Sequence, residues 1–261
     1  MPSLRRIAVL AIVALVATAC AGAAAVVPAA ASSEPMAPPL LTLAPHLTEH
    51  VGLAPVLPKG TFVVRSRTPT LVVWHGPSTE SGPRFRFPSR NPVGQTLSFL
   101  VTSTARDDGG ARWLRILLPI RPNEAAGWVR MSAVTTHRVH QRIVVDLSQR
   151  RLRYYRDGEL ADRFSVGIGA VTTPTAVGRF YVWAQVPQAS ATGPYGIFAL
   201  GLSGFSTVLK DWPGGGRMAI HGTSNPADRG QMVSHGCVRV YNADMARLKH
   251  VPLGTPVEIR A

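Results

Sequence analysis

Short apolar runs cut by turn residues fill most of this chain. From Lys59 to about Thr136, runs such as Thr70–Trp74, Leu97–Thr102 and Trp113–Leu118 alternate with clusters of Gly, Pro, Asn and Asp. Runs of this length, rich in Val, Thr and aromatic residues and bounded by breakers, predict strands. Pro119 to Asn123 predicts a turn before a last strand around Gly127–Arg130. A second series begins near Val139. Ile143–Leu147, Arg151–Arg156, Glu159–Val166 and Arg179–Trp183 each predict a strand, and Asp157-Gly158 predicts a tight hairpin turn. The Gly-, Thr- and Pro-rich stretch Gly167–Gly178 predicts a loop. Met218–Ile220 and Val238–Val240 flank a polar Gly222–Gly230 and predict two further strands, each delivering its end to a sheet edge. Only Ala243–His250 reads as a helix, with Asn242 as its N-cap, and Gly254–Ile259 supplies a closing strand. The expected fold is mainly β, in two parts, with a short helix near the C-terminus.

The residues ahead of these strands read differently. Arg5-Arg6 precedes an apolar run from Ile7 to Val16 and then small residues, the layout of a secretory signal over residues 1–31. The run is too short for a comfortable membrane span. Two processing readings stay open. Ala29-Ala30-Ala31 offers a small-residue cleavage site that would release the protein. Ala17-Thr18-Ala19-Cys20 would instead leave a lipid on Cys20, and with it a membrane anchor. Residues 32–58 carry Pro35, Pro38, Pro39, Pro45, Pro55 and Pro58. Proline's fixed φ and missing donor predict an extended tether there. The expectation is an exported protein of the cell envelope, in the periplasm or the wall.

At 261 residues the chain allows one large or two modest domains. The formal net charge is +14, nearly all of it arginine, with lysine only at Lys59, Lys210 and Lys249. Such a charge favours anionic partners. No basic–aromatic interleaving or recognition helix accompanies it, so nucleic acid is not the expected partner. Anionic wall polymers and peptide carboxylates suit an exported protein better.

Candidate chemistry concentrates in Ala219–Asn242. Cys20 lies in or beside the signal, which leaves Cys237 without a disulfide partner. Its neighbours Ser234, His235, Gly236 and Arg239 are not those of an inert packed thiol. A thiol needs a base to attack at neutral pH, and His221 and His235 are both at hand. Gly222 and Gly236 leave room for backbone to approach a substrate. Backbone N–H groups around Gly236 and Cys237 are candidate oxyanion donors. Arg239, two residues beyond Cys237 on a strand, points to the same face and suits either holding a carboxylate or orienting the catalytic turn. His221, His235 and Cys237 resemble a partial zinc set, but no carboxylate ligand or metal spacing accompanies them, so no metal is expected. A papain-like arrangement is the less favoured reading, because there the nucleophile precedes the histidine and opens a helix.

His221-Gly222 at a strand end, a loop, then Ser234-His235-Gly236-Cys237 and Arg239 resemble the signature of the L,D-transpeptidases, the YkuD-like enzymes of bacterial cell walls. Upstream, the Asp157-Gly158 hairpin, Gly167-x-Gly169, Thr173-Pro174-Thr175 and Gly178-x-Phe180 resemble the first half of the same domain. Ala176 stands where the family usually has a second proline. The resemblance places a β-sandwich-type catalytic domain at residues 139–261. Trp74-His75-Gly76-Pro77-Ser78 and Gly127-Trp128-Val129-Arg130 resemble the opening and closing of a bacterial SH3-like domain, a small barrel, at residues 59–137. Trp74, Trp113 and Trp128 are expected to serve mainly as its core.

The resemblance implies a cysteine-dependent acyltransferase. Cys237 would form a thioester with a peptidoglycan stem peptide, and a neighbouring stem's amine would resolve it into a 3→3 cross-link. No cofactor is implied, and carbapenems would be inhibitors. Some family members replace the histidine of Ser-His-Gly-Cys and keep the first one, which favours His221 as the base. His235, Ser234, Gly236 and Gly222 become supporting or oxyanion residues. Arg239, Tyr195 and Phe205 become substrate contacts. Resolution by water would make a carboxypeptidase, and resolution by a protein amine would attach a protein to the wall. A non-catalytic wall-binding protein on the same folds is the other alternative. A monomer is expected.

Overall fold

The computed structural model describes residues 60–211 and 214–261. The expected signal at residues 1–31, Cys20 and the proline-rich tether at residues 32–58 lie outside the described residues.

Seven strands form the first sheet: β1 (Thr61–Ser66), β2 (Thr70–Trp74), β3 (Pro83–Pro88), β4 (Phe99–Arg106), β5 (Arg112–Leu117), β6 (Ala126–Arg130) and β7 (Val134–Val139). Their order is β3-β2-β6-β5-β4-β1-β7, and every neighbour is antiparallel. In β5 the apolar residues are buried while Arg112 and Arg115 face water. Trp113 is fully buried, donates from Nε1 to Asp107 Oδ2 at 2.9 Å and meets the Trp74 ring edge-on. Trp74 and Trp128 are only half-buried.

Nine strands form the second sheet. They are β8 (Gln141–Asp146), β9 (Arg151–Arg156), β10 (Glu159–Gly169), β11 (Gly178–Pro187), β12 (Phe198–Phe205), β13 (Arg217–Thr223), β14 (Met232–Ser234), β15 (Val238–Tyr241) and β16 (Pro256–Arg260). The order is β14-β10-β15-β13-β12-β11-β16-β8-β9, with β9 also paired to β10. Two strands fold this sheet into two layers. β10 pairs with β9 through Glu159–Ser165, then with β15 at Val166 and Gly167 and with β14 at Ile168 and Gly169. β11 pairs with β16 through Gly178–Tyr181, then with β12 from Val182 to Pro187. Strands that pass from one layer to the other are the corners of a sandwich. Between the layers, Ile143, Val145, Leu152, Phe180, Leu200 and Ile220 pack into one core.

Local chemistry explains where the chain follows its pattern and where it departs. Asp157 and Gly158 both have positive φ, 53° and 87°, as a two-residue type I′ hairpin requires. Gly167–Gly169, expected as loop, belongs to β10. A Cβ on Gly169 would lie 2.4 Å from backbone atoms of Thr173 and Thr175, so the following loop lies flat against the strand end. Glycine there marks close backbone approach and does not break the strand. The expected helix over residues 243–250 is one turn, α1 (Asn242–Met245), followed by a 3₁₀ turn at Ala246–Leu248. Asn242 does not cap it: the N-cap is Tyr241, with no side-chain cap bond. Asn242 instead accepts from the Ile197 N–H at 3.1 Å and donates to the Ala191 carbonyl at 2.8 Å.

Side chains of the first sheet hold backbone of the second. Asn91 donates to the Trp183 carbonyl at 3.1 Å, and Gln95 exchanges two bonds with the Gln185 backbone at 2.7 and 3.0 Å. Arg121 donates to the carbonyls of Ser206, Leu209 and Gly215, and Asn123 exchanges two bonds with the Phe205 backbone. Trp183 packs against the hydrophobic core of the first sheet.

Candidate active site

β13 and β15 run parallel and adjacent, with Ile220 opposite Val238 and His221 opposite Arg239. That register sets Cys237, one residue before β15, beside Ala219 of β13. A cleft of about 320 Å³ opens there, lined by His221, Tyr195, His235, Cys237, Arg217 and Arg239 among others. Its size lies at the lower end of the range for ligand clefts.

His221 is 3% exposed, and its Nδ1 lies 2.8 Å from the Gly222 carbonyl. A carbonyl can only accept, so Nδ1 carries the proton and Nε2 keeps its lone pair. Burial depresses the imidazole pKa to about 4, partly offset by the Gly222 bond, so the ring is neutral at pH 7. Tyr195 meets this ring edge-on, with centroids 5.1 Å apart. Burial pushes the Cys237 thiol up, against the lowering effects of the Ala219 backbone and the Arg239 charge. At rest the cleft therefore holds a neutral thiol and a neutral imidazole.

The turn that presents Cys237 is held by Ser234. Its hydroxyl donates to the Cys237 carbonyl at 2.5 Å and accepts the Gly236 N–H at 3.1 Å. The carbonyl of Ser234 in turn accepts from the Ala170 N–H and the Thr173 hydroxyl, at 2.9 and 3.0 Å. Gly236 sits at φ 106°, a backbone angle few other residues adopt. Its N–H is spent on Ser234, so Gly236 does not serve as an oxyanion donor in this conformation. His235 is exposed on the rim of the same cleft.

Arg239 lines the cleft and also makes a structural ion pair. Its Nη1 pairs with Asp228 Oδ2 at 3.3 Å, and Asp228 is 4% exposed. Asp228 also accepts from the Thr223 hydroxyl at 2.7 Å and from Asn225 Nδ2 at 3.1 Å. Arg239 thus ties β15 to the loop after β13. Phe205, expected as a substrate contact, is buried outside the cleft lining, with the Arg217 and Arg121 guanidinium groups 4.3 and 4.8 Å from its ring centre. Its backbone holds Asn123 instead, and it sits at the end of β12.

Sequence reasoning missed Asp228, Thr223, Arg217 and the second role of Asn242. Asp228 hides in a polar loop whose composition signals only a turn. Asn242 has no local signal for a contact 45 residues away. Its Oδ1 stands at a junction where Gly196 and Gly222 touch: a Cβ on Gly222 would lie 2.4 Å from that oxygen and 2.9 Å from the Ile197 nitrogen. Gly222→Ala is expected to spread this junction, moving both the Tyr195 loop and the carbonyl that holds His221. A loss of about 1–3 kcal/mol in unfolding free energy is expected, with a fall in turnover. Denaturant melts and steady-state rates that both match the parent would show the junction has slack.

The family model for the YkuD L,D-transpeptidase catalytic domain matches residues 140–259. A Bacillus licheniformis protein named for the L,D-transpeptidase YkuD is 37% identical over 119 residues, 45% of this chain and 64% of that protein. The Bacillus subtilis counterpart is 34% identical, again with 64% of its length spanned. A Salmonella typhimurium protein named probable L,D-transpeptidase ErfK/SrfK is 31% identical over 234 residues, covering 82% of this chain and 70% of that protein. Among solved structures, the ertapenem-acylated catalytic domain of the Enterococcus faecium L,D-transpeptidase is 29% identical, covering 48% of this chain and all but 1% of that one (99%), at a TM-score of 0.36. With the catalytic-domain match over residues 140–259 and the likeness to the Salmonella protein across both sheets, this chain belongs to the L,D-transpeptidase family.

Proposed function

We propose that this protein is a peptidoglycan L,D-transpeptidase that forms 3→3 cross-links through a thioester on Cys237, with His221 as base. The observation that carries the reading is the Nδ1 bond of His221 to the Gly222 carbonyl, in the same cleft as the thiol. It leaves Nε2 free to take a proton.

Cys237 Sγ attacks the carbonyl carbon of the amide that joins the diamino acid to the terminal D-alanine. The thiol proton passes to His221 Nε2 as the S–C bond forms. The Cys237 N–H, in the turn held by Ser234, is the donor left to meet the oxyanion, since the Gly236 N–H is already bonded. On collapse the C–N bond breaks, and His221 gives its proton to the departing amine. A second stem's amine then attacks the thioester and loses a proton to His221 Nε2. The C–S bond breaks, and that proton returns to sulfur.

The first sheet is read here as an SH3-like module that positions the catalytic cleft. The basic surface suits anionic wall polymers. Export to the envelope completes the proposal, since that is where the substrate lies.

The test is incubation of the purified protein with tetrapeptide stems, with products read by mass. A cross-linked species that has lost one D-alanine is the expected outcome. Tripeptide alone would assign a carboxypeptidase, and unchanged substrate would refute the proposal. A carbapenem is expected to give a one-to-one covalent adduct on the peptide containing Cys237. No adduct, under conditions that turn over stems, would contradict the thioester step.

A further inference from the structure

Two arginines line the cleft, and their charges are balanced differently. Arg239 has Asp228 at 3.3 Å. Arg217 forms no ion pair among the described residues. Its guanidinium lies 3.9 Å from the Trp183 ring centre and 4.3 Å from that of Phe205, and a second cation, Arg121, lies over the same Phe205 ring. The nearby Tyr181 hydroxyl supplies no negative charge: it is fully buried, and burial pushes its pKa up, so it stays neutral.

Rings that cover a guanidinium leave its edge for hydrogen bonding. Arg217 spends one Nη1 hydrogen on the Leu202 carbonyl at 2.9 Å and one Nη2 hydrogen on the Pro119 carbonyl at 3.2 Å. A guanidinium has five N–H donors, so three remain. Burial lowers the pKa of Arg217 to about 10, which still leaves it charged at neutral pH. A desolvated cation without an anion is costly, and two carbonyl dipoles offset only part of that cost. A carboxylate arriving in the cleft would complete the set.

We propose that Arg217 is the carboxylate-recognition residue of the cleft, taking a free carboxylate of the peptide substrate on its guanidinium edge. The proposal rests on the transpeptidase reading and deepens it. Arg239, the residue the motif offers for this task, already has the Asp228 carboxylate beside it to balance its charge, whereas Arg217 has no such anion. Arg217 is a specificity residue: it acts on substrate choice and takes no proton.

The experiment compares four tetrapeptide stems with the full protein. One is unmodified, and each of the others carries an amide in place of one free carboxylate: on the second residue, on the diamino acid, or at the C-terminus. One of the three amidations is expected to lower kcat/KM of the parent protein on the order of 10- to 100-fold. Arg217→Gln should lose a similar factor on the unmodified stem and nothing further on that amidated stem. Arg217→Lys, which keeps the charge without the fork, should fall between. A loss by Arg217→Gln that is equal on all four stems would assign Arg217 to structure alone and overturn the proposal. So would indifference of the parent protein to every amidation, a result that needs no variant to fold. Thermal melts accompany each variant, and if Arg217→Gln does not fold, Arg217→Lys carries the same comparison. Failure of the parent protein to use any stem overturns the transpeptidase reading and this inference with it, whereas turnover without coupling overturns this inference alone.

Discussion

Cys237→Ala is expected to abolish acyl transfer while leaving the protein folded. The residue sits half-buried at the end of a turn whose bonds run through backbone and Ser234. Alanine keeps that backbone and its Cβ and removes one sulfur atom, so the fold should lose little. Chemistry should lose nearly everything. Among the described residues Cys237 is the one thiol, and no hydroxyl in the turn is free to replace it, since that of Ser234 is committed to the Cys237 carbonyl. Removing a nucleophile that acts together with its base costs on the order of 10⁶ in kcat. Stem turnover is measured by mass, and folding by circular dichroism. A folded Cys237→Ala protein that still releases D-alanine would sink the thioester assignment.

His221→Ala is expected to lower kcat by about 10²–10⁴, the scale of a lost general base. His235→Ala should lose less, because His235 is exposed on the cleft rim whereas His221 is buried with its tautomer fixed. The pH profile separates the two. In the folded protein the His221 pKa is lowered from 6.5 to about 4, chiefly by burial. The acid limb of the parent profile should therefore fall near pH 4, well below the ordinary histidine range, and disappear in His221→Ala. Stability should follow the same group. Because the folded pKa is the lower one, the contribution is fully present above pH 6.5 and is lost as pH falls toward 4, by about 3 kcal/mol. His221→Ala should show a flatter stability curve across that window. If instead His235→Ala removes the acid limb and the neutral-pH alkylation of Cys237 while His221→Ala keeps both, the base is His235.

What could be read from residue order was local. The partial alternation of β9 sends Leu152 and Tyr154 inward, while the apolar run of β8 is buried from Ile143 to Val145. His221 and Cys237 were legible because short apolar runs lead up to one and away from the other. What stayed hidden depends on pairs far apart in the chain. Arg217 looked like one more arginine among many until Trp183 and Phe205 closed on it from two other strands. Asp228 became significant only when the parallel register of β13 and β15 set Arg239 beside it. Asn242 carried a real capping signal, and the tertiary demand of the Ile197 and Ala191 backbone outweighed it. Phe205 was assigned to the cleft by proximity in sequence, whereas its strand turns it toward Arg121.

His140 alone separates β7 from β8, and its Nδ1 pairs with Asp157 at 2.7 Å. A joint one residue long has no slack for swinging. The catalytic-domain family match has its border at residue 140. The molecule has no seam at that border. Taking the first sheet away would strip donors from the carbonyls of Phe205, Ser206, Leu209 and Gly215, which flank the cleft side of the second sheet. A lineage or an engineer that exchanges this module for another inherits a debt of unpaired backbone. The replacement has to bring its own counterparts of Arg121 and Asn123, or the Ser206–Gly216 loop has to be rebuilt along with it.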